Sequence, residues 1–299
     1  MGNKSKIKKP NFFIIGAPRS GTTSLYMYLK SHPQVFFNDT ARHFFAKKEP
    51  NFFCTDFSNK MRKVVDKKKY LKLFEGANQF RAVGEASTWY LFSKEAIPRI
   101  NVFNPDAKFI AIVRNPIDVV YSSFLTARYY LNENVRSFKK SWHLQDKRKE
   151  GKSIPRWCRD PKLLQWGKIA KTGEQIERLL HFVPREKVKI IVFDDFINNT
   201  KKVYKEVLDF LDLEYKGKKD FPVYNKKRNI RFTFVGFILN KLYQYNNKIN
   251  WRKFFQWNII KKYKYDLDPN FRKELKKYFK KDVQILSKIL NRDLTHWLD

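Results

Sequence analysis

The chain has 299 residues, with 63 Lys and Arg against 29 Asp and Glu, a formal net charge of +34. Its hydrophobic share of 42% is below the globular norm, but an aromatic share of 17% makes a sizeable core available. Cys54 and Cys158 are too few for a disulfide framework and lack metal-site spacing, and no apolar run reaches the ~18–20 residues that span a membrane.

So basic a balance points to an anionic ligand, a polyanionic acceptor or nucleic acid. Lys, Asn, Phe and Ile are abundant together, as in an AT-rich genome, and the lysines are scattered, so composition accounts for most of the excess. Sparse cysteine fits a reducing compartment. The segment MGNKSKIKKP is basic without the apolar stretch of a secretory signal, and Ser5 stands one position too early for N-myristoylation. The expectation is a soluble cytoplasmic protein: residues 1–10 a basic solvated tail and 11–299 a single domain, with neither internal repeat nor flexible linker.

The first element is an apolar run, Phe12–Ile15, that turns on Gly16 and enters a helix through Ser20-Gly21-Thr22-Thr23. Strand, glycine loop and helix N-terminus together make an anion site, because backbone N–H groups converge there and the helix dipole adds partial positive charge. The spacing Gly16-x4-Gly21 is that of a Walker A loop, but Thr22 stands where its lysine belongs, and the basic residue is inside the loop at Arg19. A phosphate cradle without that lysine argues against an ordinary ATPase or GTPase.

The helix runs to Ser31, before His32-Pro33. Residues 34–56 read as an aromatic and basic loop, residues 66–75 as a lysine-rich helix, and residues 92–103 as helical. Between them Ala82-Val83-Gly84 is a short strand delivering Glu85-Ala86-Ser87 at its end. Lys108–Val113 is an unbroken apolar run, as a buried parallel strand requires. It ends in Arg114-Asn115-Pro116, where Asn115 suits an N-cap and Pro116 a first helical residue.

Residues 132–160, polar and weakly periodic, read as an insertion or long loop. Leu163–His181 reads as one helix, Val188–Phe193 as a strand and Val203–Leu211 as a helix. Within 221–263, Phe234, Val235, Ile238, Leu239 and Leu242 have helical spacing and read as a helix packed on the core; a last helix spans Pro269–Leu290. The alternation predicts an α/β fold, a P-loop-type parallel sheet flanked by helices on both faces. Ligands of such sheets bind at the carboxyl ends of strands, where Gly16, Glu85 and Arg114 fall.

These motifs together resemble the sulfotransferase family that uses 3′-phosphoadenosine 5′-phosphosulfate (PAPS), nearest to its heparan-sulfate-type and bacterial carbohydrate branches. Pro18-Arg19-Ser20-Gly21-Thr22-Thr23-Ser24 is similar to the family's 5′-phosphosulfate loop, and Val113-Arg114-Asn115-Pro116 with Ser122 to its 3′-phosphate site. Lys48-Glu49-Pro50-Asn51-Phe52-Phe53 resembles the segment that supplies a catalytic glutamate, and residues 265–299 with Trp297 resemble the C-terminal helix and terminal tryptophan. The resemblance runs from residue 11 to 299 and is weakest over 132–160 and 231–262.

The resemblance implies a donor held at two separate anion sites. Arg19, Ser20, Gly21, Thr22, Thr23 and Ser24 hold the 5′ end, with Arg19 stabilising the leaving phosphate; Arg114 and Ser122 hold the 3′-phosphate. In residues 225–231, Lys227, Arg228 or Arg231 closes over that phosphate, or the segment is a solvated basic loop, since the family's glycine is missing there. The base is Glu49. A second alignment, through ARHFF at 41–45, puts Ala41 at the glutamate position and leaves His43 as the titratable group; Glu85 is a further alternative. Ala86 stands where heparan-type enzymes carry lysine, which weakens a heparan-like acceptor.

The implied reaction is sulfuryl transfer to a hydroxyl or amine of a carbohydrate, without metal. Lys, Arg, Tyr and Trp over residues 128–166 suit sugar stacking and acidic glycans. One rival is a P-loop kinase or nucleotide hydrolase, against which Thr22 argues. The other is a non-catalytic basic protein on nucleic acid or acidic lipid, which would show strong salt dependence without selectivity for a 3′-phosphate. Nucleic acid is the less expected partner.

Overall fold

Five short apolar segments pair into one parallel sheet: Phe12–Gly16 (β1), Val35–Phe37 (β2), Ala82–Ala86 (β3), Lys108–Val113 (β4) and Val188–Val192 (β5). This computed structural model describes residues 7–38, 49–224, 229–230, 259–260 and 267–299. The strand order is β2-β3-β1-β4-β5. The helices, in chain order, are Thr22–Lys30 (α1), Lys67–Lys72 (α2), Ala96–Phe103 (α3), Pro116–Tyr129 (α4), Phe138–His143 (α5) and Gln145–Lys149 (α6). Trp166–Ala170 (α7), Thr172–Phe182 (α8), Phe193–Asn198 (α9), Thr200–Phe210 (α10) and Pro269–Leu290 (α11) complete them. None of the described helices is long and apolar enough to cross a membrane.

The chain divides into two compact units: residues 1–115, 172–225 and 282–295 form one, and 116–171, 226–281 and 296–299 the other. The first holds the sheet. Every residue of β1 and β3 is buried, as a sheet covered on both faces requires. Side chains alternate across it. Phe12, Ile14, Ile110 and Ile112 share a core with Leu25 of α1 and Val207 of α10. Phe13 and Phe109 stack at 6.0 Å on the opposite face, where Phe13 meets Phe53 and Tyr90, and Phe53 meets Phe103 of α3. Gly84 makes room for the first of these cores, on the Phe12 face: a Cβ there would stand 2.3 Å from Phe12 and 2.4 Å from Phe37. Residues 7–10 are tied to this unit, Lys8 Nζ donating to the Phe80 carbonyl at 2.5 Å and Asn104 to the Pro10 carbonyl at 2.9 Å.

The periodic stretch Leu163–His181 is three pieces rather than one helix: a 3-10 turn at Pro161–Leu164, then α7, then α8. The start of α8 is set from far along the chain. Asp282 accepts from the N–H groups of Gly173 at 3.0 Å and Glu174 at 2.9 Å, satisfying donors that a helix start leaves orphaned.

In the second unit Phe124 of α4 packs edge-on to Trp166 of α7, and Phe138 and Trp142 of α5 meet Phe271 of α11. Residues 132–160 are not the loop that their weak periodicity predicts. They contain α5 and α6 and are ordered by a wholly buried ion pair: Arg148 grips Glu133 through Nη1 at 2.6 Å and Nη2 at 2.9 Å. Ser141 donates to Glu133 and accepts from Trp166 Nε1 at 3.0 Å. Asn229–Ile230 (β6) and Ile259–Ile260 (β7) form a short antiparallel pair. The apolar residues between Phe234 and Leu242 lie outside the described residues.

Candidate active site

In the order β2-β3-β1-β4-β5 the chain leaves β1 toward neighbours on both sides, so β1 lies at the switch point where such sheets bind ligands. The loop after β1 is tightly fitted. A Cβ on Gly16 would lie 2.9 Å from Leu91 Cβ and 3.0 Å from the Thr88 carbonyl. Leu91 N donates to the Ile15 carbonyl at 2.9 Å and Ser87 N to that of Ile14 at 3.1 Å, so the segment after β3 is bound to the loop after β1.

Arg19 (φ 63°) and Gly21 (φ 87°) both adopt left-handed backbone. Such alternation turns N–H groups toward one concavity, a nest suited to anions. Gly21 caps α1 without help from a side chain, and its own Cβ position is closed off by Phe193 at 3.1 Å and Phe196 at 3.3 Å. The first turn of α1 carries no acidic residue to compete for the dipole. Ser20, Thr22, Thr23 and Ser24 are all buried there, and Ser24 Oγ accepts from Tyr224 N at 3.2 Å.

Arg114 follows β4. Its Nη1 donates to the Arg19 carbonyl at 3.1 Å, and its guanidinium lies 4.4 Å from the ring centre of Phe193, the residue after β5. The same ring borders Gly21, so the ends of β1, β4 and β5 meet around one aromatic face. The two arginines singled out in sequence, 95 residues apart, are thus brought together.

On the β3 side, Glu49 (φ 69°) lies along the strand end, its N–H donating to the Ala86 carbonyl at 2.9 Å. Its Oε1 accepts from Thr88 Oγ1 at 3.1 Å, and Asn51 N donates to Ser87 Oγ at 3.1 Å. Glu49-Pro50-Asn51 is therefore fixed to residues 86–88, the stretch that also braces Gly16. Glu85 sits just beneath, 1% exposed, with Oε2 accepting from Tyr70 at 2.8 Å and Tyr90 at 2.7 Å. Burial pushes its carboxyl up to about 7 against the pull of the Ser87, Tyr90 and Tyr70 hydroxyls, with the Glu49 charge adding to the rise. Burial also lifts both phenols well above their ordinary value.

Three residues of this site have no signature in the sequence: Tyr70, Tyr90 and Arg178. Arg178 of α8 donates from Nη2 to the carbonyls of Leu91 at 2.6 Å and Phe92 at 3.1 Å, clamping the turn after Glu85. Of the three, only Tyr90 stands near a segment singled out in sequence, three residues after Glu85-Ala86-Ser87. Ser122 is buried in α4 of the second unit. His43 and Arg228, with Lys48, Lys227 and Arg231, lie outside the described residues. Among the described residues, no group of three or more His, Cys, Asp or Glu is placed to hold a metal. An anion nest that includes Arg19 and is bonded to Arg114, with the half-buried Glu49 carboxylate at the neighbouring strand end, suits displacement at a group carried on a phosphate.

Residues 10–217 match the Sulfotransferase family. A membrane-associated sulfotransferase of Dictyostelium discoideum is 22% identical over 80% of this chain, which covers 64% of that protein. Human carbohydrate sulfotransferase 15 is 29% identical over 42% of this chain and 28% of its own length. The chain thus spans under two thirds of either relative. The crystal structure of a sulfotransferase from Alicyclobacillus acidocaldarius superposes with a TM-score of 0.74 at 26% identity, over 98% of this chain and all of that one.

Proposed function

The chain belongs to the sulfotransferase family, and from that membership we propose that it moves a sulfuryl group from PAPS to a hydroxyl, or an amine, of a carbohydrate. The observation that carries the reading is the bond from Arg114 to the Arg19 carbonyl. A donor with a phosphate on the 3′ position and a phosphosulfate on the 5′ position needs two cationic segments at a fixed separation. A triphosphate cradle needs only one. The bond, with the stack on Phe193, holds one segment against the other.

The nest at residues 19–22 and the N-terminus of α1 take the 5′ end, and Arg114 takes the 3′-phosphate; Ser122 enters through its likeness to the family motif. Glu49 accepts the acceptor proton as the oxygen or nitrogen attacks sulfur. The bond from sulfur to the bridging phosphate oxygen breaks in line, and Arg19 stabilises the charge that builds there. The products are the sulfated acceptor and adenosine 3′,5′-bisphosphate. Glu49, half-buried and oriented by Thr88, is better placed for the proton than Glu85, which is closed off beneath two tyrosines. The carbohydrate acceptor is supported by the activity named for the human relative.

Two variants test the assignment together. Arg114→Ala is expected to weaken adenosine 3′,5′-bisphosphate at least about tenfold, the scale of a lost charged hydrogen bond, and to lower the melting temperature only by what the lost bond to the Arg19 carbonyl and the lost stack on Phe193 contribute. Glu49→Ala is expected to cut turnover by about 10²–10⁴-fold while donor affinity holds. Unchanged bisphosphate affinity in the first variant removes the 3′ assignment. Full activity in the second moves the base to His43 or Glu85.

A further inference from the structure

The second unit carries an exposed turn with no part in the chemistry above. Residues 151–159, GKSIPRWCR, hold three bases and no acid. Trp157 is 54% exposed, whereas Trp142 and Trp166 of the same unit are buried. The Arg156 guanidinium lies 5.4 Å from the Trp157 ring centre, and that of Arg159 lies 5.6 Å from Tyr130, itself 48% exposed.

This turn is held rigidly from below. Asn132, 2% exposed, accepts through Oδ1 from Arg159 N at 2.9 Å and from Arg159 Nε at 3.4 Å. Arg148, while gripping Glu133, donates from Nε to the Ser153 carbonyl at 3.2 Å. A fully buried ion pair is a poor source of stability, because desolvating it offsets much of the attraction. Here it fixes the geometry of a surface on which Trp157 is about half exposed. An aromatic ring on a preorganised turn, flanked by guanidinium groups, matches a ligand with an apolar face and a charged edge. A pyranose bearing a carboxylate or sulfate is such a ligand: its C–H face covers the indole and its charge meets the arginines. Single-stranded nucleic acid calls instead for several rings along a basic groove. Here two exposed rings, Trp157 and Tyr130, each stand beside a guanidinium of their own.

We propose that Trp157, Arg156 and Arg159 form a subsite for an anionic sugar of the acceptor chain. The proposal rests on the reading of the protein as a carbohydrate sulfotransferase. The test titrates the full chain with hyaluronan hexasaccharide, cellohexaose, a six-nucleotide single-stranded DNA and, separately, adenosine 3′,5′-bisphosphate. Wild type is expected to prefer hyaluronan to both other oligomers. Trp157→Ala should weaken hyaluronan about tenfold, whereas Trp157→Phe, which keeps an aromatic face, should weaken it about threefold or less. Replacing Arg156 and Arg159 together by Ala should abolish the preference over cellohexaose. All variants should keep bisphosphate affinity, and the two Trp157 variants should keep the melting temperature as well.

Wild type showing no preference for hyaluronan over cellohexaose overturns the subsite, as does unchanged affinity in Trp157→Ala. Tighter binding of the DNA, lost equally in the variants, overturns it in favour of nucleic acid. Failure of wild type to bind the bisphosphate counts against the sulfotransferase reading instead, since the glycan arm is measured without donor.

Discussion

Glu85 shows how much one residue can depend on what encloses it. Its folded pKa of about 7 stands above the ordinary 4.5 because burial outweighs three hydroxyl donors. Between those values the folded chain binds more protons than the unfolded one. The contribution to stability is therefore complete below pH 4.5 and lost as pH rises through about 7, a span on the order of 3 kcal/mol. Glu85→Gln, neutral at every pH, is expected to flatten the decline in urea-unfolding free energy between pH 5 and 8; a variant with the wild-type slope would contradict this. Arg19, Thr22, Glu49 and Arg114 could be proposed from the sequence because each sits in a local motif with its own chemical logic. Tyr70, Tyr90 and Arg178 were not, since each acts on a partner brought near only by folding: Arg178 reaches carbonyls 85 to 87 residues away.

Most elements defined by apolar runs or by their caps were legible to within a few residues, but β2, only three residues long, fell in a stretch read as loop. β4 and α11 coincide with the ranges read from sequence, and α1 differs only at its ends. Those ordered by polar groups were not. Residues 132–160 read as a loop because Glu133 and Arg148 look solvated in a sequence, yet both side chains are wholly buried. Likewise α8 begins at Thr172 because Asp282, more than a hundred residues on, supplies its cap. Asp282→Ala is expected to cost about 1–2 kcal/mol of stability, the range of a lost cap. Gly173→Ala should cost more, since its Cβ would stand 2.2 Å from the Asp282 carbonyl oxygen, a backbone atom without freedom to move aside. Denaturant titration of the two variants checks the order, and Gly173→Ala milder than Asp282→Ala would show that the contact relaxes.

For the molecule as a whole, alternating strands and helices made the α/β class legible, and the observed order places β1 between β3 and β4 with its loop at the strand ends. That topology brings Arg19, Glu49 and Arg114 to one end of one sheet, although 95 residues separate the first from the last. The division into two compact units left no trace in composition, because the unit boundaries at 115, 171, 225, 281 and 295 carry no linker-like stretch. Nor does the net charge of +34 mark the site, since lysines are spread along the whole chain. The measurement to make first is thermal unfolding of the full chain with adenosine 3′,5′-bisphosphate, beside ATP with magnesium and 5′-AMP. At a hundred times its dissociation constant a ligand stabilises by about 2.7 kcal/mol, which a melting curve resolves. Two anion sites at a fixed separation predict a clear rise with the bisphosphate and little with the other two. A rise with ATP and magnesium alone would contradict the sulfotransferase reading and make the loop after β1 a nucleoside-triphosphate site.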